Sequence, residues 1–218
     1  MVFNLLVTLQ ILAILFIIIA LVYMFRSGST YKHVLMLAFL AAEMVQSAGY
    51  LLELLSKTQD EAMHAICVEY LGSGIVATLF MMFVCNYCGV KANIWLERFL
   101  LICGCLSITL VWTNQYHNLY YSEIDFVETG LMPHVVLTHG VGFYFFVVTC
   151  TAIPWAVSEV AVFKSLIKEK NIKIRRKLLF IIGGMTVAIT TLILYVLGVF
   201  PEGYDPTPLC LSFLFPIL

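Results

Sequence analysis

The amino-acid sequence predicts an all-α membrane protein: a bundle of seven transmembrane helices, with the N-terminus outside and the seventh helix truncated at the C-terminus. Hydrophobic residues make up 62% of the chain, charged residues only 11%, and the mean hydropathy is +1.00. Soluble domains are typically about 45–50% apolar and about 25% charged. The apolar residues form long runs, and the basic residues fall in alternate links between them. Residues 1–218 are predicted to form a single domain.

A helix needs roughly 20 residues to cross a bilayer, and the apolar runs differ in how they meet that length. The first run is uncharged and lacks the basic start of a secretory signal, so it is predicted to be an uncleaved span. The fifth is longer than a bilayer requires, which predicts that it is tilted or projects outward. The last is too short to cross and is expected to be an incomplete seventh helix. The predicted spans are approximately residues 2–25, 33–55, 62–85, 99–115, 135–163, 178–200 and 209–218.

The distribution of Lys and Arg predicts the orientation. Every other link between the apolar runs is basic, and these links contain 11 of the 12 Lys and Arg residues, whereas the intervening links contain only Lys57. The positive-inside rule therefore places the basic links, including the strongly basic stretch 164–177, in the cytoplasm. The N-terminus is then outside. A complete seventh helix would end inside the cell, where an output domain can be attached.

The stretch from Trp112 to His139 is the one long segment that is neither continuously apolar nor basic. We predict that it helps to roof a pocket at the outer end of the bundle, because binding residues concentrate on loops held by a rigid scaffold. The alternative is a plain connecting loop whose aromatic residues lie at the lipid headgroups.

Asn114 and His117 lie three residues apart at the predicted end of the fourth helix, so they share a face of its last turn. In a structural interpretation Asn114 caps the helix, and His117 ties the loop to the bundle through Glu53 or Asp205. In a ligand-site interpretation both side chains face a pocket with Trp112 and Tyr120 as its apolar wall. The sequence leaves both open.

Polar side chains recur along the second span at steps of three or four residues and therefore lie on one helical face. Such a face is expected to point into the bundle, where it lines a cavity or forms hydrogen bonds between helices. Glu43 lies near mid-membrane, where a functional or switching role is expected. The predicted ligand-binding residues are Glu43, Gln46, Tyr50, Glu53, Glu69, Trp112, Asn114, His117, Tyr120 and His139.

No catalytic, metal or cofactor site is predicted. His134 and His139 are five residues apart and do not share a helical face, so a zinc site lacks paired ligands. Cys85 and Cys88 have CxxC spacing without a second pair. No span through the sixth carries a mid-helix lysine for a Schiff base, and no phosphate-binding loop or hydrolase motif is present. The basic stretch 164–177 is expected to meet anionic lipid and not nucleic acid.

Four short motifs occur in a characteristic order: GYLLE at 49–53, VEYLG at 68–72, TNQYH at 113–117 and YDPTP at 204–208. Their order and spacing resemble the N-terminal seven-transmembrane sensor region of bacterial histidine kinases. The chain departs from that family in having Gln115 after Asn114, where proline is common, and in having Gly183–Gly184 near a position often occupied by proline in the sixth helix. The residues that match recurrent family positions are Glu53, Glu69, Tyr70, Gly72, Asn114, His117, Asp205 and Pro208.

The resemblance implies a sensory input domain in the bacterial cytoplasmic membrane, with a cytoplasmic output domain in the same chain and a homodimeric full-length protein. We predict that a small ligand binds from the outer side and shifts the packing of the helices, moving the seventh helix. Any kinase activity would lie beyond Leu218. The alternatives are a small transporter or channel, which requires a path through the membrane, and an intramembrane enzyme, for which no catalytic set is found.

Overall fold

The computed structural model describes residues 2–26, 30–129, 133–200 and 204–214. Long helices predominate, joined by short links and one hairpin. In chain order the elements are α1 (Val2–Arg26), α2 (Tyr31–Leu55), α3 (Gln59–Tyr87), α4 (Ile94–Trp112), α5 (Asn114–His117), β1 (Tyr121–Val127), β2 (His134–His139), α6 (Val141–Phe146), a π-helical segment (Val147–Ala152), α7 (Ile153–Lys168), α8 (Ile172–Val196) and α9 (Thr207–Leu214).

Six helices within the described residues are long and apolar enough to cross a membrane, which confirms the prediction of a multi-pass helical protein. They are Phe3–Arg26, Tyr31–Leu55, Gln59–Tyr87, Ile94–Trp112, Val141–Lys168 and Ile172–Tyr195. The predicted seventh span corresponds to α9, which has eight residues. The last predicted residues, 215–218, lie outside the described part of the chain.

Polar residues in the links set where helices begin. The Thr58 side chain accepts a hydrogen bond from the backbone N–H of Glu61 at the start of α3. Asn93 and Asn171 do the same for Trp95 in α4 and for Lys173 in α8. These caps satisfy N–H groups that have no partner within the helix.

Helices α2 and α3 pack unusually closely because glycine lies at their contact. A Cβ atom at Gly72 would overlap the backbone carbonyl oxygen of Ala42, and one at Gly49 would overlap the backbone of Glu69. Small residues that let backbones approach are the usual basis of helix packing in membranes. The close approach positions the polar faces of both helices around one space.

The core of the bundle joins α2, α3, α7 and α8. Phe39, Phe80 and Trp155 form a chain of rings, with centroids 5.3 Å apart for Phe39–Phe80 and 5.4 Å apart for Phe80–Trp155. Ile181 and Met185 of α8 are buried in the same cluster. Helix α9 packs against α1, α2 and α8.

The outer stretch contains a β-hairpin, which the all-helical prediction did not include. Strands β1 and β2 are antiparallel, from Tyr121 opposite His139 to Val127 opposite His134. The fifth span, predicted to begin at residue 135, begins at Val141, since residues 134–139 form β2. The alternation of apolar Ile124 and Phe126 with polar residues is typical of a half-exposed strand and is the signal that was overlooked.

The fifth crossing helix widens into π-helical geometry at Val147–Ala152, immediately before Pro154. Proline has no N–H to donate to the preceding turn, and such disturbed turns are common places for π bulges. The Thr149 hydroxyl donates to the Phe145 carbonyl within this segment. By contrast, α8 is continuous through Gly183–Gly184, so the sixth helix is unbroken where the family often has proline.

The basic links lie together at one end of the bundle. The Lys32 ammonium lies 5.8 Å from the ring centroid of Tyr87, which brings the start of α2 to the end of α3. The Cys88 and Ser165 side chains lie close enough to interact, which brings the end of α3 to the end of α7. At the opposite end of the bundle, the Gln59 side chain at the start of α3 donates a hydrogen bond to the Ile124 carbonyl of the hairpin. The bundle therefore has a basic end and a hairpin end.

Candidate functional site

A cavity of about 250 Å³ lies between the hairpin and the centre of the bundle. Its deep end is formed by Phe39, Phe80 and Trp155, and its other end by residues of β2. Helices α2, α3, α7 and α8 form its walls, and the segment from Asp205 to Leu211 completes them. The volume is just below the roughly 300–1,000 Å³ of sites for drug-sized ligands, which suits a small molecule.

Two carboxyl groups lie on adjacent walls of the cavity. Glu53 is near the end of α2 and Glu69 is in α3, and their side chains lie close enough to interact with each other. The close approach of α2 and α3 at Gly49 is what brings the two acids together.

A third acid, Asp205, belongs to the segment that leads into α9. Its carboxylate accepts a hydrogen bond from the Thr207 N–H at 2.8 Å, and its own N–H donates to the Tyr50 hydroxyl oxygen at 2.9 Å. Burial raises the pKa of the Asp205 carboxyl above its usual range, and its hydrogen bond with the Thr207 N–H opposes that rise. The start of α9 is therefore fastened to α2 at the cavity wall.

Three polar atoms of the wall have no hydrogen-bond partner in the described structure. They are the Gln46 carbonyl oxygen Oε1 and the hydroxyl oxygens Ser73 Oγ and Thr207 Oγ1. Gln46 is only 6% exposed and Ser73 only 9% exposed, so water outside the bundle does not reach them readily. Buried polar atoms are normally paired, and unpaired ones at a cavity wall are candidates for ligand contacts.

The hairpin covers the cavity through Tyr121 and through Val135, Leu137 and His139 of β2. The Tyr121 hydroxyl donates to the Tyr70 hydroxyl oxygen of α3 at 3.2 Å. The His139 ring is stacked on Phe143, with 3.6 Å between the centroids. Burial lowers the pKa of His139 below its ordinary value, which favours the neutral ring. The roof therefore adds no fixed positive charge.

Five predicted site residues line this cavity: Gln46, Tyr50, Glu53, Glu69 and His139. Glu43 does not line it. The Glu43 side chain is fully buried beside α9, where its Oε1 accepts from the Ser212 hydroxyl at 3.1 Å and lies 3.4 Å from that of Ser47. These contacts join α2 to α9 beside the cavity.

The remaining four predicted residues support the hairpin or face outward. Asn114 is buried, and its Oδ1 accepts the N–H groups of Tyr120 and Tyr121 while its Nδ2 donates to the Tyr121 carbonyl. The His117 ring is hydrogen-bonded to the Thr113 hydroxyl and accepts the Leu119 N–H. Within the described residues its hydrogen bonds therefore go to its own loop, and not to Glu53 or Asp205 as the structural interpretation expected. Asn114 thus supports the root of β1.

Tyr120 is fully buried among aromatic rings, including Tyr70, which it meets edge-on at 5.2 Å. The Trp112 indole donates to the Cys67 carbonyl at 2.9 Å, while the side chain is 52% exposed on the surface of the bundle. Neither residue lines the cavity. Trp112 has the position typical of aromatic residues at a membrane interface.

Sequence reasoning missed most of the apolar wall, including Phe80, Phe143 and Leu211. Apolar side chains that line a cavity have the same helical spacing as those that fill a core, so no local signal separates them. Asp205 could have been included, since it was already a recurrent position of the YDPTP motif.

The fold and the site define a multi-pass helical membrane protein with an acidic and aromatic cavity near one end. Comparison with known families shows which class this is: residues 8–218 match the family described as the N-terminal 7TM region of histidine kinase. The chain belongs to that family, whose members are the sensory and not the catalytic part of their kinases. Searches of curated proteins and of solved structures found no match.

Proposed function

We propose that this region binds a small amphipathic ligand from the outer side and relays a helix rearrangement to a cytoplasmic output domain in the same chain. In this proposal the hairpin end faces outward, the basic end faces the cytoplasm, and the protein lies in the bacterial cytoplasmic membrane. The full-length protein is a homodimeric histidine kinase or a similar signalling protein. One observation carries the proposal: the cavity wall includes both the acids of α2 and α3 and the first residues of α9.

The attachments of α9 support the relay. The Ser212 hydroxyl lies 2.6 Å from that of Ser47 and 3.1 Å from the Glu43 carboxyl, and the Asp205 N–H is bonded to Tyr50. All of these contacts fasten α9 to α2. The same helix presents the cavity residues of the GYLLE motif and Gln46. A ligand that prefers one position of α2 would therefore bias the position of α9.

A transporter or channel fits the structure less well. Such a protein needs a continuous polar path, often with broken helices at mid-membrane. The deep end of this cavity is closed by the apolar rings of Phe39, Phe80 and Trp155, which are part of the buried core. An apolar floor suits a sensor pocket that opens to one side.

The experiment tests the link between cavity and α9 without any ligand. In a cysteine-free chain in lipid nanodiscs, Ser47→Cys and Ser212→Cys report their proximity through the rate of disulfide formation. Ser73→Phe adds a ring to the cavity and acts as a built-in occupant. We expect the crosslinking rate to change about threefold or more, the equivalent of a population shift of at least about 0.6 kcal/mol.

The matched control is Leu106→Phe, which adds a similar ring at an exposed position of α4, outside the cavity. It should leave the crosslinking rate unchanged. If Ser73→Phe also leaves the rate unchanged, while the protein unfolds at the same temperature as the control, the cavity is not coupled to α9 and the relay is wrong.

A further inference from the structure

We propose that the ligand of the cavity is a small organic ammonium ion with an apolar, preferably aromatic, body. The proposal rests on the proposed function and adds the chemical class of the ligand. It stands on four features of the cavity: its charge, its unpaired acceptors, the spacing of its acids and its aromatic floor.

The cavity carries acids without compensating bases. Among the described residues that line it are Glu53, Glu69 and Asp205, and none is lysine or arginine. The one lining histidine, His139, favours the neutral form because it is buried. Charged groups away from water are stable when they are paired, so an anionic ligand would add repulsion and a cation would relieve it.

The wall also offers acceptors that lack donors. Gln46 Oε1 and Ser73 Oγ are each more than nine-tenths buried and have no hydrogen-bond partner in the described structure. Both residues line the cavity beside the acids. An ammonium group has three N–H donors and no acceptor, so it complements a wall of oxygen acceptors. These two orphan atoms are independent of the acids and indicate the same kind of ligand.

The spacing of the acids argues for an organic cation in place of a metal ion. Among the described residues, no group of three His, Cys, Asp or Glu side chains is arranged to hold a metal. Calcium requires six to eight oxygen ligands, and magnesium requires six in near-octahedral geometry. An ammonium ion makes fewer and less strictly arranged contacts, which two carboxyl groups and a neighbouring oxygen can supply.

The deep end of the cavity suits an apolar body. Phe80 and Trp155 lie 5.4 Å apart between ring centroids, and Phe39 lies 5.3 Å from Phe80. A ligand with its ammonium group at the acids would extend its apolar part toward these rings.

The test uses three probes of nearly equal shape: 2-phenylethylammonium, the neutral 2-phenylethanol and the anionic phenylacetate. Each is added to the protein in zwitterionic nanodiscs, and the shift in Tm measures binding to the folded state. We expect the ammonium probe to raise Tm most and phenylacetate not to raise it. Glu69→Gln or Glu53→Gln should weaken the apparent affinity about tenfold or more, because a charge-assisted hydrogen bond is lost.

Glu123→Gln is the matched control, since Glu123 is an exposed acid of β1 that does not line the cavity. It should leave the affinity for the ammonium probe unchanged. Ser73→Phe should abolish the shift, and a shift that persists in this variant places the probe elsewhere and overturns the proposal. The absence of any ammonium-induced shift also overturns it.

The outcomes separate the ligand class from the function. If phenylethanol or phenylacetate raises Tm as much as the ammonium probe, and Ser73→Phe abolishes that shift, the cavity is a ligand site but not a cation site. In that case the proposed function is retained, and the proposed ligand class is wrong. The function itself fails only in the crosslinking experiment, which uses no ligand.

Discussion

Replacement of Asn114 by alanine tests whether the roof of the cavity depends on one side chain. Asn114 is 2% exposed and makes three hydrogen bonds of 2.9 to 3.0 Å to the backbone of Tyr120 and Tyr121. A net contribution of about 1 kcal/mol for each predicts a loss of about 3 kcal/mol in Asn114→Ala. For a chain of this size that corresponds to a fall in Tm of about 6–12 °C.

The assay combines thermal unfolding in nanodiscs with hydrogen exchange of the hairpin amides, because the loss can appear as local opening. His117→Ala is the comparison, since the half-buried His117 ring bonds to Thr113 and Leu119 within its own loop. It should cost about 1 kcal/mol or less. Asn114→Asp keeps the acceptor oxygen and loses the donor, so it should fall between the two.

A fall in Tm below about 3 °C for Asn114→Ala, with unchanged exchange in residues 119–127, would refute this reasoning. The same result would leave the position of Asn114 in the TNQYH motif without a structural explanation. A selective loss of probe binding at wild-type stability would instead support the ligand-site interpretation of Asn114 and His117.

Three further predictions follow from the packing and the charge distribution. Cysteines introduced one at a time into a cysteine-free chain should be labelled from outside intact cells at positions 118–129, and only after permeabilisation at 166–174; the reverse pattern would invert the proposed topology. Gly72→Ala should lower stability by about 1–3 kcal/mol, because its Cβ would overlap the Ala42 carbonyl oxygen. Gly183→Ala is the control and should not lower stability, because its Cβ would meet no atom within 4 Å. Equal stabilities of the two variants would contradict the close packing of α2 and α3. Glu43→Gln should fold and keep α9 in place through its amide oxygen, while Glu43→Leu should alter the crosslinking of residues 47 and 212; identical rates would leave Glu43 a packing residue.

The helices were predictable because their signal is local. A run of about 20 apolar residues is sufficient to identify a span, and α1 to α4 lie within a few residues of the predicted bounds. The hairpin is difficult to predict because its alternation is short and lies beside the apolar run of α6, so residues 135–139 of β2 fall within the predicted fifth span. A strand pattern of this length, next to a long apolar run, is difficult to distinguish from the beginning of a helix.

The cavity was partly predictable because polar residues inside a membrane are costly and must face inward. Gln46, Tyr50 and Glu53 follow this rule in α2. Glu43 follows it too, but the same rule cannot distinguish a cavity from a contact with another helix, and Glu43 faces α9. The position of Asn114 could not be derived, because its three partners lie six or seven residues along the chain in a hairpin that was not foreseen.

The family motifs acquire separate physical roles in the structure, and these roles explain why acids and tyrosines occur together. In GYLLE, Glu53 faces the cavity while Tyr50 accepts the Asp205 N–H and holds the start of α9. In VEYLG, Glu69 faces the cavity while Tyr70 accepts the Tyr121 hydroxyl and holds the hairpin. Each acid thus lies within one helical turn of the hydroxyl group that fastens an outer element. Because the two acids are neighbours on the cavity wall, a ligand that moves them would act on the roof and on α9 through adjacent residues, without a long path through the bundle.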